Sequence, residues 1–145
     1  MTENYKILAE FIKDMSSETP DIETYLFVKD YISKYHLAIN INSKALKNQM
    51  IEICTTLKYE DKEDSEKKSY FEINYATVIK ISGEIKDKKI LEKILLCDVQ
   101  KEIYPRLEKA LLNLIHDCGF ANVKFEKKID FEQLYNQKFN QKNFF

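Results

Sequence analysis

The hydrophobic pattern changes period once along this chain of 145 residues. That change restricts the fold more than any other feature. Before Gly83, apolar and polar residues alternate; after it, apolar residues recur at three- and four-residue steps. Tyr5, Ile7, Ala9 and Phe11 alternate with Lys6, Leu8, Glu10 and Ile12, which predicts a first strand with one strongly apolar face. The polar stretch Lys13 to Pro20 is expected to end it. Leu37, Ile39 and Ile41 mark a second strand. Ile51, Ile53, Thr55, Leu57 and Tyr59 mark a third. Phe71, Ile73 and Tyr75 mark a fourth that runs on towards Ile81. The charged loop Glu60 to Lys68 between the last two implies an antiparallel hairpin with a solvated tip. Glu23 to Tyr35 reads as an irregular connection carrying Tyr25, Phe27, Tyr31 and Tyr35. Connections are normally polar, so this much apolar surface is unusual.

Beyond Gly83, Ile90, Leu91, Ile94 and Leu95 predict a short helix. Val99, Ile103, Leu107, Ala110, Leu111, Leu114 and Ile115 predict a longer one. Asp98 is the expected N-cap and Gly119 the expected C′ residue. Pro105 falls inside this run, so the regular helix is expected to start near Ile103 or to kink there. Val123 and Phe125 fall in a linker. Asp130 is placed to cap a last helix, Phe131 to Phe139, with Phe131, Leu134, Tyr135 and Phe139 on one face. Strands followed by helices indicate an α+β fold: a four-stranded antiparallel sheet with helices packed on one face. Glu52, Lys58, Glu72 and Asn74 are left facing water or a partner. Residues 1–139 read as a single domain and 140–145 as a short flexible tail.

Composition excludes several functions. The glycines are Gly83 and Gly119 and the prolines Pro20 and Pro105, against roughly 10 and 7 at average usage. No glycine-rich phosphate loop can be built from that. The 23 basic and 24 acidic residues give a net charge of -1, and Arg106 is the only arginine. A nucleic-acid partner wants a basic stripe with arginine forks, so none is expected. Apolar runs such as Ile94 to Cys97 fall far short of the roughly 20 residues that span a bilayer, so no direct membrane insertion is expected. Met1-Thr2-Glu3-Asn4 lacks the marks of a signal peptide, and cytoplasmic residence is the expectation. Cys54, Cys97 and Cys118 form no C-x-x-C pair and read as small buried hydrophobes. His36 and His116 fall on different predicted elements. No nucleophile, base and acid set is visible, so neither an enzyme nor a metal site is expected.

Several segments carry a resemblance. They are Phe11-Ile12-Lys13-Asp14-Met15-Ser16-Ser17-Glu18-Thr19-Pro20, Leu26-Phe27-Val28-Lys29-Asp30-Tyr31 and Glu72-Ile73-Asn74-Tyr75-Ala76-Thr77-Val78-Ile79, followed by Ile103-Tyr104-Pro105-Arg106, Cys118-Gly119-Phe120 and Ile129-Asp130-Phe131-Glu132-Gln133-Leu134-Tyr135. In this order the set resembles the bacterial protein-export chaperone family SecB, from about Phe11 to Phe139. The resemblance implies an ATP-independent chaperone that binds unfolded precursor proteins and delivers them to the translocation ATPase SecA. It implies a homotetramer built as a dimer of dimers, and no cofactor. By segment match, Asp14, Glu18 and Glu72 correspond to the acidic residues that dock SecA. The crossover segment implicates Tyr25, Leu26, Phe27 and Tyr31 in the client groove, with Val78 and Ile79 beside them. Folding down as core is the alternative for these aromatics.

The chain departs from the family where Thr77 and Ile79 stand for a usual glycine and phenylalanine. Leu107 and Glu108 replace a familiar Ala-Arg, and Gln100 lies where a Cys-Pro pair is often near. The same fold also serves SecB-like chaperones dedicated to one client, such as an antitoxin, and that is the alternative function. Retention of Asp14, Glu18 and Glu72 favours export.

Overall fold

The computed structural model describes residues 4–83, 87–125 and 128–139. Four strands form one antiparallel sheet in the order β1-β4-β3-β2: β1 (Tyr5–Glu18), β2 (His36–Ala45), β3 (Met50–Glu60) and β4 (Tyr70–Ile81). Helix α1 (Ile22–Tyr31) lies between β1 and β2; α2 (Lys88–Lys93), α3 (Val99–Asp117) and α4 (Phe131–Phe139) follow the sheet. The tail at 140–145 and the side chain of Phe139 lie outside the described residues. The expected α+β architecture is the one observed, and β3 and β4 form the expected hairpin, with Leu57 opposite Ile73 and Tyr59 opposite Phe71.

The core is the contact between the inner face of the sheet and α3. Ile53, Leu57, Ile73 and Ile79 are fully buried on the strands, and Ile103, Leu107, Leu111 and Ile115 on the helix. Their three- and four-residue spacing places the helical set on one stripe. Each such side chain contributes about 1.5–3 kcal/mol when removed from water. An aromatic group extends this core towards the start of β4: Phe71 packs edge-on against Phe120 at 5.8 Å, and Tyr59 against Phe125 at 5.3 Å. The Tyr59 hydroxyl donates to the Ile32 carbonyl at 2.7 Å. Burial, and then the neighbouring Tyr35, push that phenol up to about 12.

Three expectations need correction. The segment from Glu23 is helical, not irregular, as far as Tyr31, and a 3₁₀ turn completes it over Ile32–Lys34. Asp21 caps it, its Oδ1 accepting from the Thr24 N–H at 2.8 Å. The helix hid from periodicity because Thr24 and Val28 turn inward while Ile22, Leu26, Phe27 and Tyr31 stay outside. Apolar residues on both faces blur a helical stripe.

Secondly, β1 does not stop before Lys13. It pairs with β4 through Ser16 opposite Glu72 and Glu18 opposite Tyr70. Register shifts between Ile7 and Ala9 and between Ile12 and Asp14 break its alternation. A bulge moves later side chains to the other face. Glu10 and Ile12 therefore share the inner face with Thr77 and Tyr75, while Phe11 stands on the outer face opposite Ala76.

Thirdly, Asp98 does not cap a new helix. Its backbone is helical and its side chain makes no capping bond. A π turn over Ile94–Asp98 joins α2 to α3, so the helix runs through Pro105 from Val99. The buried Gln100 amide satisfies this irregular turn: Nε2 donates to the Leu95 carbonyl at 3.3 Å, and Oε1 accepts from Thr55 at 3.1 Å. The expected ends further along hold. Gly119 has φ 102°, and Asp130 Oδ1 accepts from the Gln133 N–H at 3.1 Å.

Arg106 fastens α3 to the bulged strand. Its Nε and Nη2 donate to the two Glu10 oxygens at 2.8 and 2.7 Å, and the Tyr75 hydroxyl donates to Glu10 at 2.8 Å. Burial pulls the Glu10 carboxyl upward, but the Arg106 and Tyr75 bonds and the guanidinium charge outweigh it and hold it low. A carboxylate lowered in the folded state stabilises fully above its unfolded value of ~4.3, and that contribution fades as pH falls through the folded value. Arg106 is half exposed, so Arg106→Ala is expected to cost about 1 kcal/mol near neutral pH. Thermal melts across pH should show wild type and variant converging in acid.

Candidate functional site

Two surfaces carry the residues singled out from the sequence. The first is the outward side of α1. Leu26, Phe27 and Tyr31 are 55, 38 and 46% exposed. Phe27 and Tyr31 lie one turn apart with ring centroids at 4.7 Å, and the Lys34 ammonium sits 5.6 Å from the Tyr31 ring. Exposed aromatics in contact form an apolar ledge, not scattered surface residues. Val28 and Ile32 hold the underside of this segment in the core.

Tyr25 is the anchor of the ledge. Its ring packs on Phe120 at 5.1 Å, and its hydroxyl donates to the Gly119 carbonyl at 2.7 Å. A Cβ at Gly119 would stand 2.8 Å from Tyr25 Cε1. Glycine is thus required twice at that position, for a positive φ and for the close approach of the ring. Val78 and Ile79 are not brought to this ledge. Ile79 is fully buried in the core, and Val78 stands on the outer sheet face between Ala9 and Glu52.

The second surface is that outer face. The ladder sets Ser16, Glu72, Lys58 and Ala38 in one row across the sheet, and Asp14, Asn74, Thr56 and Asn40 in the next. Glu18 stands opposite Tyr70 at the end of the same face. Asp14, Glu18 and Glu72 are therefore brought together by strand register alone. Burial, and then the Glu72 hydrogen bond and charge, push the Tyr70 phenol up to about 12, so it remains a neutral donor beside that carboxylate.

Lysines answer part of this charge. Lys58 Nζ lies 3.4 Å from Glu72 Oε1, and Lys13 Nζ lies 3.4 Å from Glu52 Oε1. Lys13 starts on β1 and ends over β3, so its stem must cross β4 near Ala76, which is fully buried. The alternation of β3 had placed Lys58 and Glu52 on the polar face, but their partners needed the register.

The cysteines are free thiols. Cys97 is buried, and burial pushes its thiol up, away from a reactive thiolate. Among the described residues no group of His, Cys, Asp and Glu could hold a metal ion. None of the described helices is long and apolar enough to cross a membrane.

Residues 1–142 match the family model described as preprotein translocase subunit SecB. The chain belongs to the SecB family. A Pelagibacter ubique (strain HTCC1062) protein, provisionally named protein-export protein SecB, is 57% identical over 140 residues, covering 97% of this chain and all of that one. A Bradyrhizobium protein-export protein SecB is 24% identical, covering 90% of this chain and 79% of its own. Among solved structures, the Mycobacterium tuberculosis SecB-like chaperone Rv1957 in complex with a peptide from the HigA1 antitoxin superposes with a TM-score of 0.64. It is 8% identical and covers 86% of this chain and 91% of its own, so it shows the shared fold. The protein is thus a protein-export chaperone of the SecB family, a family of binding proteins, not enzymes.

The α1 ledge depends on Tyr25 keeping its seat. Gly119→Ala is expected to destabilise the fold by about 1–3 kcal/mol through forced φ and the ring clash. It should also increase amide hydrogen exchange in α1, measured by mass spectrometry, before α3 is affected.

Proposed function

We propose that this chain captures unfolded precursor proteins on the α1 ledge and hands them to SecA through Asp14, Glu18 and Glu72, without nucleotide or cofactor, in the cytoplasm. The observation that carries this reading is the exposure of Leu26, Phe27 and Tyr31 on a helix whose other side is locked into the core. An unfolded chain offers apolar side chains without fixed sequence. Its receptor must therefore keep apolar area in water without unfolding itself. Tyr25 serves as the half-buried anchor of that surface; Val78 and Ile79 are left out of it. The working unit is the single domain spanning 1–139.

Self-assembly into a dimer of dimers belongs to the same proposal. β1 is an edge strand, and Leu8, Phe11, Ile12 and Met15 along it are each nearly half exposed. Ile12 and Met15 share the inner-face register of Tyr75 and Ile73, yet the helices of this chain leave them uncovered. A long apolar edge of this kind is an aggregation risk for a monomer and a seam for a second copy.

Two outcomes check the proposal. Light scattering of a denatured client should be suppressed without nucleotide, at close to one tetramer per client. Phe27→Ser with Tyr31→Ser should weaken that protection by about tenfold while the melting temperature stays within a few degrees. Loss of folding in that variant would assign both rings to the core and remove the ledge. Separately, solution mass should be near four times 17.3 kDa. A stable monomer would overturn the assembly.

A further inference from the structure

The outer sheet face holds more than an acidic patch. A surface cavity of about 440 Å³ opens on it, towards the end where β3 finishes and β4 starts, walled by Asp14, Thr56, Lys58, Glu60, Glu72 and Asn74 among others. Three carboxylates face one ammonium there. Asn74 Oδ1, on the same wall, is buried with no hydrogen-bond partner. A guest bearing Lys or Arg side chains fits this chemistry, because it brings both positive charge and N–H donors.

Lys58 already holds the position such a guest needs. The ladder sets it directly opposite Glu72, on the two central strands of the sheet. The pair is loose: 3.4 Å separates Nζ from Oε1, beyond the 2.7–2.9 Å of a tight charge-assisted bond. The Lys58 side chain is 44% exposed and the Glu72 side chain 24%. An ammonium on a flexible four-carbon stem can swing into water at small cost, whereas Glu72 is held by the sheet.

We propose that Lys58 is an internal competitor for a cationic docking segment: it occupies Glu72 in the free chaperone and is displaced when SecA docks through Lys or Arg side chains. The inference rests on the docking reading above and adds the residue that sets its strength. Lys58 lowers the affinity of the face for any single cation. A partner must offer several positive groups at once to displace it and still gain from Asp14 and Glu60. The lysine thereby selects a multiply charged docking segment over isolated lysines on an unfolded client.

The other cross-strand pair on this face provides the contrast. Lys13 and Glu52 lie outside the cavity walls, and Lys44, opposite Glu52, is an exposed lysine on the same face. Removing Lys44 changes the net charge as removing Lys58 does, but leaves Glu72 occupied.

The test is the affinity of purified SecA for the full-length chaperone at low and high salt. Lys58→Gln is expected to tighten binding by about two- to fivefold at low salt, the scale of an exposed ion pair. The gain should shrink as salt rises. Lys44→Gln should leave affinity within about 1.5-fold. In the double variant Lys58→Gln with Glu72→Gln the gain should vanish, because competitor and contested site are both gone. Lys58→Met keeps the length of the stem and should reproduce the Lys58→Gln result if packing is not the cause. Unchanged or weaker binding of both Lys58 variants, with wild type binding normally, overturns the inference alone. An equal gain from Lys44→Gln also overturns it, reducing the effect to net charge. Failure of SecA to bind wild type and Lys58→Gln alike overturns the docking reading and this inference together.

Discussion

Everything else in this chain follows from one contact, the apolar stripe of α3 laid against the inner face of the sheet. Ile103, Leu107, Leu111 and Ile115 meet Ile53, Leu57, Ile73 and Ile79 with no residual exposure. That contact covers most of one face of the sheet, short of its β1 edge, and leaves the other to water or partners. It also supplies the stability margin that lets the protein keep apolar side chains outside. A chain without such a core would collapse onto its own Leu26, Phe27 and Tyr31.

The α1 ledge shows how exposure is maintained without disorder. The helix is capped by Asp21, pinned below by Val28 and Ile32, and held at its flank by Tyr25 on Gly119 and Phe120. With the inner side satisfied, the outer side is free to remain apolar. The glycine that ends α3 therefore also sets the seat of α1. The two jobs meet because the turn after α3 passes directly beneath Tyr25.

The sheet treats its acidic residues in the opposite way. Asp14, Glu18 and Glu72 come from distant parts of the chain, but antiparallel register fixes them on one face. Strands are stiff, so this arrangement is preformed and its charge is partly neutralised in advance by Lys58. On the proposed function, the apolar ledge captures variable clients and the charged sheet face recognises one constant partner. The lone arginine contributes to that rigidity by tying α3 to Glu10, where bulges would otherwise leave the edge strand poorly determined.

Much of this was legible in the residues alone. Period-two runs located β2, β3 and β4, the later three- and four-residue steps located α3 and α4, and their segregation implied the α+β layers. Local chemistry was equally readable at Gly119 and Asp130, where a single residue type serves a single backbone need. What failed depended on distant neighbours. Helix α1 was missed because its apolar residues lie on both sides, inward at Val28 and outward at Leu26, Phe27 and Tyr31, which blurs the helical stripe. Phe11 was placed on the wrong side because bulges change strand parity without leaving a mark in hydropathy. The continuous α2–α3 helix was missed because Gln100, buried against Thr55, satisfies a π turn where the residue type of Asp98 predicts a break. The sequence by itself determined the layers, because hydrophobic period is a local property of the chain. Only the tertiary structure decided that Lys58 faces Glu72 and that Ile79 lies inside, because register and bulges join strands far apart in sequence.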